Sequence, residues 1–143
     1  MKRVVCGAAL LMALLFALTG CGATLANAGK LTEYEMSGDK IPSITSVVGE
    51  REVTGVNTAT DNGVKTKQYT YVSATVYDDL WAYVQRLMGD GWLVTQDIDL
   101  AVIPGTGQLG THSIEEGQIL LVSFSYDSTG YIIELTKGKG TIG

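Results

Sequence analysis

Histidine occurs once in the 143 residues, as His112, and cysteine twice, as Cys6 and Cys21. One imidazole with no thiol beside it is a poor zinc set, since structural sites take four nitrogen or sulfur donors and catalytic sites about three. Cationic excess is also missing: Lys and Arg total 10 against 15 Asp and Glu, a formal charge of −5. An acidic chain is repelled by nucleic acid and by anionic head groups, which excludes nucleic acid as a partner. Long apolar runs are scarce: Val4 to Leu18, without a charge and rich in Leu and Ala, spans about 22 Å as a helix against a hydrocarbon core of about 30 Å, a length that suits a signal-peptide core better than a transmembrane span. Internal repeats and low-complexity tracts are absent too.

What the short run does fit is export. Lys2 and Arg3 precede it and Leu18-Thr19-Gly20-Cys21 closes it, a positive flank, a short apolar core and small residues in the order of a signal peptide. An uncleaved N-terminal anchor is the alternative. Leu18-Thr19-Gly20-Cys21 resembles the bacterial lipobox. That resemblance implies cleavage between Gly20 and Cys21, with the Cys21 thiol accepting a diacylglyceryl group. The lipid bilayer is then a partner through acylated Cys21, and the chain is lipid-anchored at the cell membrane, facing outside the cytoplasm. Cys6 leaves with the leader, so the mature chain keeps one thiol and no internal disulfide. Two acyl chains, at about 0.8 kcal/mol per buried methylene, anchor stably where one does not. Gly22 follows the cysteine, so the aspartate often linked to inner-membrane retention is missing.

Removal of residues 1–20 leaves roughly 120 residues, enough for one core and too few for a two-lobed binding protein. Losing Lys2 and Arg3 takes the charge from −5 to about −7. Residues 21–40 are small and polar without periodicity and read as a flexible tether. A single domain then occupies 41–143. Ser46 to Asn57 reads as a strand, Asn62-Gly63 as its hairpin turn, and Val64 to Val72 as the returning strand. Thr75 and Asp78 resemble a capping box, with Asp78 and Asp79 at the positive end of a helix. From there Val76, Tyr77, Leu80, Trp81, Tyr83, Val84, Leu87 and Met88 fall on one arc of about 160°. Gly89-Asp90-Gly91 ends the helix. Trp92 to Leu100 alternates as a strand, Ala101 to Gly110 reads as a loop, and 109–114 as a short strand. Gln118 to Tyr126 and Tyr131 to Lys137 are strong strands. The expected fold is α+β, order β-β-α-β-(β)-β-β: an antiparallel sheet of five to six strands with one amphipathic helix packed across it.

Candidate chemistry is thin. Gly105-Thr106-Gly107-Gln108-Leu109-Gly110 has the spacing of a dinucleotide fingerprint, but no helix follows to receive a pyrophosphate. His112 and Ser113 are neighbours on a strand and point to opposite faces, so they do not form a nucleophile–base pair. Asp97 with Asp99, and Glu115 with Glu116, lack the calcium-loop pattern and read as solvated acids. No catalytic residue, metal site or cofactor is expected. The aromatic set is more informative. Trp81 and Trp92 are expected beneath the helix, whereas Tyr69 and Tyr71 are the candidate binding surface.

Val48-Gly49-Glu50-Arg51, Tyr69-Thr70-Tyr71, Asp79-Leu80 with Tyr83 and Leu87, Gly91-Trp92, and Tyr131 with Lys137-Gly138-Lys139-Gly140 together resemble the small uncharacterised lipoproteins of Gram-positive bacteria, chiefly Firmicutes. The resemblance spans 41–141 and implies a location and a fold, with no activity attached. The expected function is a non-enzymatic binding domain for an envelope protein or a cell-wall component. An accessory subunit of an envelope complex and an enzyme with an unrecognised site are the alternatives. A flat apolar patch favours the subunit, and convergent ionisable groups in a pocket favour the enzyme.

Overall fold

The computed structural model describes residues 21–142, with side chains from residue 25. The expected signal peptide, residues 1–20, lies outside the described residues. The fold is α+β. Along the chain come α1 (Cys21–Ala28), β1 (Glu33–Met36), β2 (Asp39–Pro42), α2 (Ile44–Val48), β3 (Glu52–Asp61), β4 (Val64–Val72), α3 (Val76–Gly89), β5 (Leu93–Gln96), β6 (Gly105–His112), β7 (Gln118–Tyr126) and β8 (Gly130–Lys139). Strands β3 to β8 build one six-stranded sheet in the order β3-β4-β8-β7-β6-β5, with every neighbouring pair antiparallel.

Period-two patterning decides which face is wet. On β7 the inward positions are Leu120, Val122, Phe124 and Tyr126, and on β8 they are Tyr131, Ile133, Leu135 and Lys137, all buried. Their alternates Ser123, Glu134 and Thr136 face the other way and stay half-exposed, as expected where one face of an antiparallel sheet packs and the other meets water. Asn62 and Gly63 turn β3 into β4 with φ of 52° and 79°, the backbone such a two-residue turn requires. Helix α3 returns the chain over the packed face, from β4 beside one edge to β5 at the other. It lays Val76, Leu80, Tyr83, Val84 and Leu87 into the core.

Several expectations need correction. Residues 21–40 are not a tether. Tyr34 and Met36 of β1 and Ile41 of β2 are buried in the main core, and the Arg51 amide donates to the Gly29 carbonyl, so the hairpin and the end of α1 are docked on the sheet. The sequence hides this because each strand has four residues, two of them charged. Ser46 to Val48 belongs to α2 rather than to a strand, with the Ser43 hydroxyl accepting from the Ser46 amide. Gly105 to Gly110 lies within β6 rather than in a loop. Its glycines leave room for aromatic rings: a methyl group at Gly105 or Gly107 would collide with Tyr126 or Phe124, their cross-strand partners.

Candidate functional site

Tyr69 and Tyr71 do not form a binding surface. They sit on the packed face of β4, 6% and 1% exposed, because the alternation that puts Thr66, Gln68 and Thr70 outside puts them inside. The Tyr71 and Tyr34 hydroxyls share a hydrogen bond of 2.6 Å, and the Tyr34 ring lies 4.7 Å from that of Tyr69. Burial pushes all three phenols above their ordinary range. The tryptophans divide. Trp92 is core, whereas Trp81 is 53% exposed and not beneath the helix as expected. Cys21, the expected lipidation site, stands in α1.

Two buried ionic clusters were not legible. Asp79 faces the core rather than capping the helix. Thr75 makes no side-chain cap and instead donates to Asp79 Oδ1 at 3.0 Å. Arg51 donates to both oxygens, Nε to Oδ2 at 2.9 Å and Nη2 to Oδ1 at 2.8 Å, and Oδ2 also accepts from Ser73 at 2.6 Å and Tyr131 at 2.8 Å. Burial by itself raises this carboxyl, but the Arg51, Ser73, Tyr131 and Thr75 donors outweigh it and hold Asp79 at about 2. The second cluster joins Lys137 of β8 to Asp39 of β2 at 2.8 Å and to Glu115 at 3.1 Å. Lys137 also donates to the Ser37 carbonyl, while Asp39 accepts from the Ser113 hydroxyl and the Ile114 amide. The Asp39 hydrogen bond raises the Lys137 ammonium despite its burial.

These clusters fasten elements together. Asp79 ties α3 to the start of β3, and Lys137 ties the hairpin β1–β2 to the end of β8. Their polar atoms face one another, and none of Asp39, Arg51, Asp79 or Lys137 lines the three concavities described next. Sequence held one hint: Asp79 falls three residues after Val76 and four before Tyr83, on the apolar stripe.

His112 is exposed at the end of β6 and Glu116 at the following turn. Asp97 and Asp99 lie beyond β5, which stops at Gln96 instead of running on to Leu100 as the sequence suggests, so they are not part of a strand. Among the described residues no three His, Cys, Asp or Glu side chains gather as a metal site would.

The first concavity, about 410 Å³, opens beside Thr70, Pro104 and Ile132. The second, about 370 Å³, lies on the open face of the sheet. A polar row crosses it: Gln68 donates to Glu134, Gln108 to Ser123, and Thr95 to Gln108, each at 2.8 Å. These groups satisfy one another across the strands, which is the ordinary stabilisation of a wet sheet face.

The third is a groove of about 680 Å³ between α3 and the chain from Val94 to Ala101. Tyr77, Trp81 and Met88 line its helical wall at 51%, 53% and 47% exposure. They stand four and seven residues apart, on the flank of the apolar arc that the sheet does not cover. Val94 of the edge strand β5, itself 43% exposed, forms part of the other wall. Asp97 and Asp99 are the charged residues lining the groove, and neither joins a salt bridge among the described residues. Large apolar side chains gathered in one concave place are what a binding site offers and what a solvated surface avoids. Comparison of the chain with protein-family models, curated proteins and solved structures yields no match.

Proposed function

We propose that this protein is an extracytoplasmic lipoprotein, held at the membrane by acyl chains on Cys21, whose domain binds another envelope macromolecule through the groove between α3 and β5. The observation that carries the binding role is the exposure of Tyr77, Trp81 and Met88 along one wall. Covering side chains of this size yields about 1.5–3 kcal/mol each when burial is complete. Meanwhile the buried carboxylates are engaged as clasps away from the concavities, which favours binding over catalysis.

Anchoring rests on Leu18-Thr19-Gly20-Cys21 and on the short apolar run before it. The docked N-terminus adds a consequence. The eight residues of α1 measure about 12 Å along the axis, so an acylated Cys21 keeps the domain close to the bilayer rather than on a long leash. Among the described residues no helix is long and apolar enough to cross a membrane.

Radiolabelled palmitate should enter the wild-type chain and not Cys21→Ser, which should leave the membrane fraction. A photo-crosslinker at exposed Gln85 should trap a partner that Trp81→Asp loses. Unchanged size and membrane retention of Cys21→Ser would remove the anchor from this reading. Crosslinking indifferent to Trp81→Asp would remove the groove.

A further inference from the structure

We infer that the groove between α3 and β5 receives an extended basic segment of a partner protein, whose cationic side chains meet Asp97 and Asp99 and whose apolar side chains cover Trp81. The inference rests on the binding role proposed above and names the occupant. Charge supplies the first argument. The charged residues along the groove are both acidic, and Asp99 uses one oxygen on the Ala101 amide while the pair stays free of salt bridges among the described residues. An exposed indole beside two carboxylates suits a lysine or arginine, whose apolar stem lies on the ring and whose charge is met by acid.

Length supplies the second. From Tyr77 to Met88 the helical wall runs about 16 Å at about 1.5 Å per residue, which about five residues of extended chain would match at about 3.3 Å each. The opposite wall is a sheet edge: β5 is last in strand order and all four of its residues are exposed. Its outward backbone groups suit an extended chain, the mode in which a peptide adds beside an edge strand.

Position argues against the bilayer as occupant. Helix α1, which carries Cys21, packs on β3, and β5 lies at the other edge of the sheet. Five strand spacings of about 4.8 Å separate those edges by about 24 Å. The β5 wall is therefore the one remote from the anchor, and the acid along it repels anionic head groups.

The test uses the full chain in phosphatidylcholine nanodiscs, titrated with a capped alternating lysine–leucine peptide of about eight residues and with its glutamate–leucine counterpart. Binding is read by tryptophan emission and, for variants lacking Trp81, by calorimetry. The lysine peptide should bind and the glutamate peptide should not, with affinity falling as salt rises. Trp81→Ala should weaken binding about tenfold and Asp97→Asn with Asp99→Asn about fivefold. Asp61→Asn with Glu116→Gln removes the same charge at exposed positions elsewhere and should leave binding unchanged.

Equal weakening by that control pair would show diffuse attraction and overturn the inference. So would equal binding of the glutamate peptide. Sedimentation showing a dimer that Trp81→Asp dissolves would assign the groove to a second copy instead. If Cys21→Ser leaves the membrane while the lysine peptide fails, the occupant alone is wrong. If Cys21→Ser stays membrane-bound at unchanged size, the anchored-lipoprotein reading fails whatever the peptide does.

Discussion

Lys137 Nζ lies 2.8 Å from Asp39 Oδ2, with the two side chains 2% and 3% exposed. One residue sits near the end of the last strand and the other opens the second strand of the N-terminal hairpin. The contact holds that hairpin over the sheet, and it separates a structural role for these charges from a catalytic one. Lys137→Met should leave Asp39 buried without its cation and cost about 3 kcal/mol, the low end for a broken buried pair because the neighbouring Glu115 is exposed. Adding Asp39→Leu should recover most of that loss, since an apolar pair of similar volume is often neutral. Urea unfolding of the four chains measures the coupling, and recovery of less than half would mean that the charges do more than fasten.

Acid should act through Asp79. Its pKa of about 2 lies below the ordinary carboxylate value of 3.8, so its stabilisation is fully present above about pH 5 and is lost as pH falls from there toward 2. The difference amounts to about 2 kcal/mol. Thermal melts across that window should show a slope that flattens in Asp79→Asn. An unchanged slope would move the acid sensitivity to other carboxylates.

The two tryptophans should respond in opposite ways. Trp92 is 7% exposed and Trp81 53%. Trp92→Ala should cost about 3–5 kcal/mol, the range for a large core deletion. Trp81→Ala should stay within about 0.5 kcal/mol, as surface changes do. Chemical denaturation gives both numbers, and acrylamide should quench Trp81 far more than Trp92. A large loss from Trp81→Ala would show that its ring supports the fold and would weaken the binding site.

Gly107→Ala tests the reading of the glycine spacing. The new methyl would meet Phe124 at 2.5 Å and Ile98 at 2.8 Å, and overpacking of this kind costs about 1–3 kcal/mol. Gly89→Ala, with nothing within 4 Å, is the matched control and should not destabilise. Equal melting temperatures for the two variants would remove the aromatic packing explanation.

Much of the α+β architecture is local, and it was legible. Strands β7 and β8 announce themselves by alternation, Asn62-Gly63 by its tolerance of positive φ, and α3 by apolar residues at helical spacing. Strand β6 is only half legible, expected at 109–114 and found at Gly105–His112, because glycine there looks like loop until Phe124 and Tyr126 lie opposite it. Hairpin β1–β2 looked like tether because its strands are short and every second side chain meets water. For the candidate site less was readable. Tyr69 and Tyr71 share a face with Lys65 and Lys67, so alternation allowed that face to be wet, and burial followed only once α3 and the hairpin covered it.

The sequence by itself determined the periods: which residues share a strand face, where helix α3 starts and stops, where the hairpin turns, and that a cysteine follows small residues at the close of a short apolar run. Those are properties of neighbours a few residues apart, set by backbone geometry. Only the tertiary structure decided which side of each period is dry, that Asp79 meets Arg51 and Lys137 meets Asp39, and that Trp81 stands in an open groove. Those outcomes depend on which distant segment comes to lie against a face, and one apolar arc on a helix reads the same whether or not the sheet beneath is wide enough to cover it.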